Sequence, residues 1–168
     1  MENRENISAA EALAGIFFNK KDTRMRILGL DYGSRRIGVA ICDELGMTAQ
    51  GLTTIIKKNR EADLGAVAEL VRQYDIERIV IGYPLRLDGS AGIQCEKIDR
   101  FARRLEIRFS LPVIRWDETL STKEAEEILR EAGMRREKRK EAVDRLAAGI
   151  ILQGYLDSPL CAGKVTRC

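Results

Sequence analysis

Histidine does not occur among the 168 residues of this chain. Its absence excludes the Ser–His and Cys–His pairs that activate nucleophiles, and it also excludes histidine general bases and histidine metal sites. If the chain is an enzyme, carboxylates must carry the chemistry. A hard cation that prefers oxygen ligands, such as Mg2+, is then the natural helper.

Long apolar runs and paired cysteines are missing as well. No apolar stretch approaches the roughly 18 residues that a bilayer-spanning helix needs, so the sequence predicts a soluble protein with no membrane partner. The four cysteines form no CxxC pair. This spacing disfavours a zinc knuckle or a disulfide framework and fits a reducing, cytoplasmic location.

The length and a hydrophobic content of 45% predict one ordinary globular domain with its own core. We place this domain at residues 25–156 and expect a C-terminal tail at 157–168. Residues 1–24 lack a cationic start and a clean cleavage site, so we expect a poorly ordered extension and not a signal peptide. Met25, directly before the first predicted strand, is a candidate natural start.

Hydrophobic periodicity predicts alternating strands and helices. The pattern gives an α/β class with a five-stranded mixed sheet flanked by helices. Ser121 to Glu124 is typical of a capping box that opens one of these helices, and Gly133 ends it. The predicted strands are 25–31, 37–43, 50–56, 78–82 and 112–116, and the predicted helices are 61–74, 90–107, one beginning near 121, and 141–156.

One acid, Asp31, closes the otherwise apolar first strand. It shares a face with Ile27 and Gly29, and an aspartate there is expensive to desolvate unless a metal ion or a cation pairs it. Gly33 is expected to adopt a positive φ, and Gly38 leaves room for a close approach of backbone or ligand. The alternative is a hairpin turn in which Asp31 only hydrogen-bonds its own backbone.

The last predicted helix carries a second acid on an inward face. Asp144 lies one turn before two small alanines, although an acid favoured by the dipole at the start of the helix would also explain it. Asp31, the Asp117–Glu118 pair and Asp144 are expected to converge at one end of the sheet. Such crowded carboxylates must be protonated or metal-bound, and two divalent ions about 3.5–4 Å apart could hold them and drive phosphodiester hydrolysis.

Basic residues cluster although the net charge is only +3. The densest cluster follows Gly133 in a predicted loop, where no helical face explains it. A phosphate-rich partner is therefore plausible at this segment. The candidate nucleic-acid-binding residues there are Arg135, Arg136, Lys138, Arg139 and Lys140.

At this point the chain resembles the YqgF family of RNase H-like nucleases, also described as Holliday junction resolvase-like. The likeness spans about residues 25–156 and consists of four motifs in the family's order and spacing. They are Asp31-Tyr-Gly-Ser-Arg-Arg-Ile-Gly-Val-Ala40, Ile81-Gly-Tyr-Pro-Leu-Arg-Leu-Asp-Gly-Ser90, Trp116-Asp-Glu-Thr-Leu-Ser-Thr122 and Val143-Asp-Arg-Leu-Ala-Ala148.

The resemblance implies an RNase H-like fold and a nuclease site that uses Mg2+ or Mn2+. By position it implies Asp31, Glu118 and Asp144 as the catalytic and metal-binding acids. It further implies a role in ribosome biogenesis, in which the enzyme trims the 5′ end of pre-16S rRNA and meets structured RNA or a ribosomal subunit precursor. The family usually has Arg after Asp-Glu, where this chain has Thr119, and Arg35 or Arg36 is a candidate to supply the missing cation.

Other functions stay open at this point. Within the nuclease class, branched DNA such as a four-way junction is an alternative substrate. A non-catalytic nucleic-acid-binding module of the same fold is a second alternative. Sugar kinases and actin-like ATPases share the Asp-x-Gly turn, but they need two such domains and this chain is too short. The 82–90 loop could cradle a phosphate, or Ser90 could simply cap the next helix.

Overall fold

A computed structural model describes residues 25–86, 88–117 and 136–162, together with positions 125, 127, 128, 130 and 131. Among these residues, no helix combines the length and the apolar character needed to cross a membrane. The strands are β1 (Ile27–Tyr32), β2 (Arg36–Cys42), β3 (Ala49–Ile56), β4 (Arg78–Tyr83) and β5 (Val113–Asp117); the helices are α1 (Arg60–Gln73), α2 (Ile93–Phe109), α3 (Arg136–Leu156) and α4 (Pro159–Ala162).

The five strands form one mixed sheet in the order β3-β2-β1-β4-β5. The first three strands pair antiparallel, whereas β4 and β5 run parallel to β1 because helices connect them to the preceding elements. β1 is the central strand, and its carboxyl end lies beside the carboxyl end of β4. The predicted α/β class with a five-stranded mixed sheet is confirmed.

Alternation along the strands separates the two faces of the sheet. On one face, Leu28 and Leu30 of β1 pack in the core formed with α1 and α2. On the other face, Ile27 packs with residues of α3, and a Cβ on Gly29 would lie 2.7 Å from the Cβ of Leu152 in that helix. Asp31 is the next residue in this series, so it belongs to the α3 face of the sheet.

Glycine in β2 lets α3 lie close to the sheet. A Cβ placed on Gly38 would overlap the carbonyl oxygen of Asp144. Ala147 and Ala148 of α3 are fully buried, which agrees with the close packing predicted from their small size. The prediction that Gly38 leaves room for a close approach is confirmed, and the approaching group is the backbone of α3.

The predicted start of α3 was wrong. The helix begins at Arg136 and not near residue 141, so residues 136–140 are helical and do not form a loop. Arg, Glu and Lys are good helix formers and need no apolar stripe to continue a helix that is anchored by its later turns. The basic cluster therefore lies on the first turns of a helix, except for Arg135, which lies outside the described residues.

Three smaller predictions were also wrong. Gly33 does not have a positive φ; glycine is needed there because a Cβ would lie 2.8 Å from the carbonyl oxygen of Arg36. Ser90 does not cap α2, which begins after Gly92, because its hydroxyl is bonded to Asp88 instead. In the helix predicted to begin near residue 121, the helical spacing of Ala125, Ile128 and Leu129 predicts that Ile128 faces inward, but it is 44% exposed. The capping box at 121–124 and Gly133 lie outside the described residues.

Candidate active site

Asp31 stands at the carboxyl end of β1, where the chain turns toward β2. The turn is closed by the backbone, since the Gly33 amide donates to the Asp31 carbonyl over 3.1 Å. No hydrogen bond from the described part of the chain reaches the Asp31 carboxylate. The alternative interpretation, in which this acid merely bonds its own backbone, is therefore wrong.

Asp144 reaches the same end of the sheet from α3. It lies eight residues after the start of that helix, so the dipole at the helix N-terminus does not explain it. Its carboxylate forms an ion pair with Nε of Arg36, and the Asp144 side chain is 19% exposed. Arg36 belongs to β2 and lies two residues before Gly38, so both project toward α3.

Burial and the nearby Asp144 both disfavour the charged form of Asp31. Burial raises the pKa of Asp31 from 3.8 to about 6, and the nearby Asp144 charge adds to this rise. Among the described residues, Asp31 is therefore a partly desolvated carboxyl group without a paired cation, while Asp144 has Arg36. A perturbed pKa in a cleft is typical of a functional site, and here the cause is explicit.

An open cleft of about 580 Å³ lies over these two acids. One wall of the cleft is formed by Asp144 and the residues at the end of β1, and the other by the connection between β4 and α2 and the first residues of α2. Gln94 joins the walls, because its Nε2 donates to the Tyr32 carbonyl over 2.9 Å. Residues 82–90 were predicted as a possible phosphate cradle, and two members of this loop face the cleft. The lining residues are Asp31, Tyr32, Gly33, Pro84, Arg86, Gly92, Ile93, Gln94 and Asp144.

Two cations near the cleft were not identified as site residues from the sequence. Arg86 lines the cleft and is exposed. Lys57 holds its Nζ 3.7 Å above the centre of the Tyr32 ring and donates to the Gly33 carbonyl over 3.2 Å. Arg86 belongs to the loop predicted as a possible phosphate cradle. Lys57 belongs to a segment whose sequence is typical of ordinary basic surface, and only the fold brings it next to Tyr32 and Gly33.

Of the two neighbouring acids predicted at the carboxyl end of β5, the structure describes Asp117. Trp116 packs on the α3 face, next to Tyr155. Asp117 pairs in register with Tyr83, whose hydroxyl bonds Asp99 of α2, so Asp117 belongs to the opposite face. It is therefore not on the face that carries Asp31 and Asp144. Glu118 and Thr119 lie outside the described residues.

The donor chemistry of the cleft suits a hard divalent cation. Carboxylate oxygens from Asp31 and Asp144 face it, and oxygen is the ligand that Mg2+ and Mn2+ prefer. In the described part of the chain no group of three or more His, Cys, Asp or Glu side chains could hold a metal ion. The two acids fit as part of a metal site that needs at least one more ligand.

The predicted nucleic-acid-binding cations are only partly placed. Arg36 reaches the site, whereas Arg35 is exposed on the β1–β2 turn, where its carbonyl accepts from the Lys57 amide. Lys140 is exposed on the second turn of α3. Only the backbone of residues 136–139, which include Arg136, Lys138 and Arg139, is described.

Comparison with known proteins agrees with this architecture. The model of the family described as RuvX, Holliday junction resolvase, matches residues 25–158. A protein of Syntrophus aciditrophicus that carries the name of a pre-16S rRNA nuclease is 69% identical over 134 residues, which cover 80% of this chain and 89% of the relative. A protein of Halothermothrix orenii with the same name is 53% identical over 79% of this chain and 95% of its own length.

Among solved structures, a Fowlpox virus resolvase bound to Holliday junction DNA shares the fold. Its TM-score is 0.52 at 15% identity, and the match covers 81% of this chain and 99% of the viral one. At this identity the likeness concerns the fold alone. The RNase H-like arrangement that the sequence resemblance implies is thereby confirmed.

Proposed function

Because the chain belongs to the RuvX family of Holliday junction resolvases, a nuclease family, we propose that it is a metal-dependent endonuclease. Asp31, Glu118 and Asp144 are its proposed catalytic acids. The observation that carries this proposal is the convergence of Asp31 and Asp144 on one cleft, where burial raises the pKa of Asp31. Only the positions of Asp31 and Asp144 are described.

The proposed third acid is Glu118 because of the alternation of β5. Trp116 packs on the α3 face and Asp117 belongs to the other face. Asp117 is therefore the poorer candidate for a site on the α3 face. This choice agrees with the position that the family resemblance gives.

Each residue of the cleft would have a distinct role. Asp31 and Asp144 would hold Mg2+ or Mn2+, and we propose that the site binds two ions. Such an ion supplies a water of lowered pKa and neutralises charge on the phosphate. Arg86, which lines the cleft, would attract and orient the phosphate backbone, and Lys57, bonded to the Gly33 carbonyl, would add positive charge nearby. The uncapped amides at the start of α2 add donors on the same wall.

The proposed substrate is the 5′ end of pre-16S rRNA, cut during ribosome biogenesis in the cytoplasm. Two relatives that match nearly their whole length carry that name. Structured RNA or a ribosomal subunit precursor would then be the partner. The second candidate is a four-way DNA junction, favoured by the family description and by the fold shared with a junction-bound resolvase.

A cleavage assay on both nucleic acids tests this proposal. Purified protein is incubated with a pre-16S leader RNA or a four-way DNA junction, in Mg2+, in Mn2+ or in EDTA. Asp31→Asn is the test variant. Asp75→Asn is the matched control, since Asp75 is exposed in the turn after α1 and its positive φ suits asparagine.

We expect cleavage of the RNA in both metals, no cleavage in EDTA, and a loss of several orders of magnitude for Asp31→Asn. Asp75→Asn should match the wild type. Equal cleavage in EDTA would exclude the metal mechanism. Cleavage of the junction but not of the RNA would exclude the proposed substrate and support the second candidate.

A further inference from the structure

Arg36 is the cation that the structure places directly on a proposed catalytic acid. Its Nε forms the ion pair with Asp144, and its side chain is 31% exposed. The pair joins β2 to α3 at the point where Gly38 allows the two backbones to meet. Arg36 is therefore held by the packing of the sheet against α3 as well as by charge.

The neighbouring cations have other partners. The backbone of Arg35 fixes Lys57, and the side chain of Arg35 lies one residue out of phase with Arg36 at an exposed position. Lys57 stacks over Tyr32 and donates to the Gly33 carbonyl. In the described part of the chain, the ion pair of Asp144 is with Arg36.

We propose that Arg36 is a positioning residue that competes with the divalent cation for Asp144. Without metal, its guanidinium neutralises Asp144 and fixes the carboxylate. A divalent ion held by Asp31 and Asp144 would compete with the guanidinium for that carboxylate, and a displaced guanidinium would offer a phosphate its planar donors. This inference rests on the proposed metal-dependent nuclease.

The competition predicts that removing Arg36 tightens metal binding and weakens nucleic-acid binding. Mn2+ affinity is measured by electron paramagnetic resonance on the full chain without nucleic acid. Arg36→Gln should raise the affinity by about tenfold, since the positive charge paired with Asp144 is removed. Arg35→Gln removes the same charge one residue away and should change the affinity by less than about twofold, because exposed charges are screened.

A second measurement tests the proposed contact between Arg36 and the phosphate backbone of the substrate. At saturating Mn2+, Arg36→Gln should raise KM for the RNA more than it lowers kcat, and Arg36→Lys should restore Mn2+ affinity toward the wild type but not KM. Circular dichroism checks that each variant is folded. If Arg36→Gln alone fails to fold, Arg36→Lys still decides, because a KM equal to that of the wild type would overturn the phosphate role.

The outcomes separate the inference from the proposed function. Unchanged or weakened Mn2+ binding in Arg36→Gln, with the wild type binding normally, would overturn the role of Arg36 and leave the nuclease proposal standing. If neither protein binds Mn2+, the metal mechanism and this inference both fall. Mn2+ binding that appears only in Arg36→Gln would support the competition.

Discussion

At the residue scale, the raised pKa of Asp31 gives a stability prediction. Its carboxyl group has a pKa of about 6 in the folded chain and 3.8 as its ordinary value. Between these values the folded state binds more protons than the unfolded state, so the free energy of unfolding falls as pH rises from about 4 to about 6. Asp31→Asn removes this loss and should stabilise the metal-free protein at pH 7 by roughly 2–3 kcal/mol.

Urea unfolding of the wild type and the variant in EDTA, across pH 4 to 8, measures this effect. The difference should be small near pH 4 and reach its full value above pH 6. Asp75→Asn again serves as the control and should follow the wild type at every pH. A variant less stable than the wild type at pH 7 would show that Asp31 has a structural role.

Part of the site could be predicted from single residues. An acid that ends an apolar strand and an acid on the inward face of an alanine-rich helix both carry a signal, because each breaks the local pattern. The ion pair of Arg36 with Asp144 carries none, since 108 residues separate its partners. The same holds for Lys57, whose position over Tyr32 depends on the pairing of β2 with β3.

At the element scale, the packing of α3 on β2 depends on one glycine. A Cβ at position 38 would overlap the backbone of Asp144, so Gly38→Ala must push α3 away from the sheet. We expect a decrease of about 3 kcal/mol in the free energy of unfolding, because overpacking a rigid interface typically costs this much. The catalytic activity should fall by more than the loss of folded protein alone would cause, since Asp144 moves with the helix.

Gly65→Ala provides the control for this prediction. Gly65 lies within α1, and a Cβ there has nothing within 4 Å. Alanine should therefore stabilise the protein by about 0.5–1 kcal/mol. Chemical denaturation of both variants measures the two effects, and a Gly38→Ala protein as stable as Gly65→Ala would contradict the described packing of α3.

The first turns of α3 give a second prediction at this scale. Replacing Lys138, Arg139 and Lys140 with Gln keeps helix propensity but removes three charges. Nucleic-acid binding should weaken, and the slope of log K against log salt should fall by about 0.7–0.9 for each phosphate that the variant no longer neutralises. The control is a triple Gln variant at Arg72, Arg103 and Arg104 on α1 and α2. Equal slopes for the two triple variants would reject a binding role for this segment.

Helix ends were the least predictable parts of the fold. The start of α3 was missed because its first turn carries charge and no apolar stripe, so hydrophobic periodicity becomes visible only near residue 141. The start of α2 was missed because Ser90 is a good capping residue, whereas the observed N-cap is Gly92 without a side-chain bond. In each case the tertiary packing of later turns, and not the local signal, fixes where the helix begins.

At the scale of the whole molecule, the five strands and the mixed character of the sheet could be predicted, but the order of the strands in the sheet was not predicted. β1, β2 and β4 carry buried apolar runs, whereas the edge strands β3 and β5 are only partly buried. Helices between the parallel strands leave few topologies. The strand order with β1 at the centre is what places Asp31 beside the start of α2 and below α3. Sequence patterns predicted that Asp31 and Asp144 would meet, and the topology explains why they meet at this edge.

The last prediction concerns how many cuts one protein makes. Resolving a four-way junction requires two incisions related by two-fold symmetry, so a resolvase of this fold needs two copies with paired sites. Trimming an RNA 5′ end needs one cleft. If RNA is the substrate, the active species should have the mass of one 18.9 kDa chain, and the initial rate should rise linearly with protein concentration. Light scattering and initial rates at nanomolar to micromolar concentrations measure both quantities. A rate that rises with the square of the concentration, together with paired incisions and twice the monomer mass, would favour the junction.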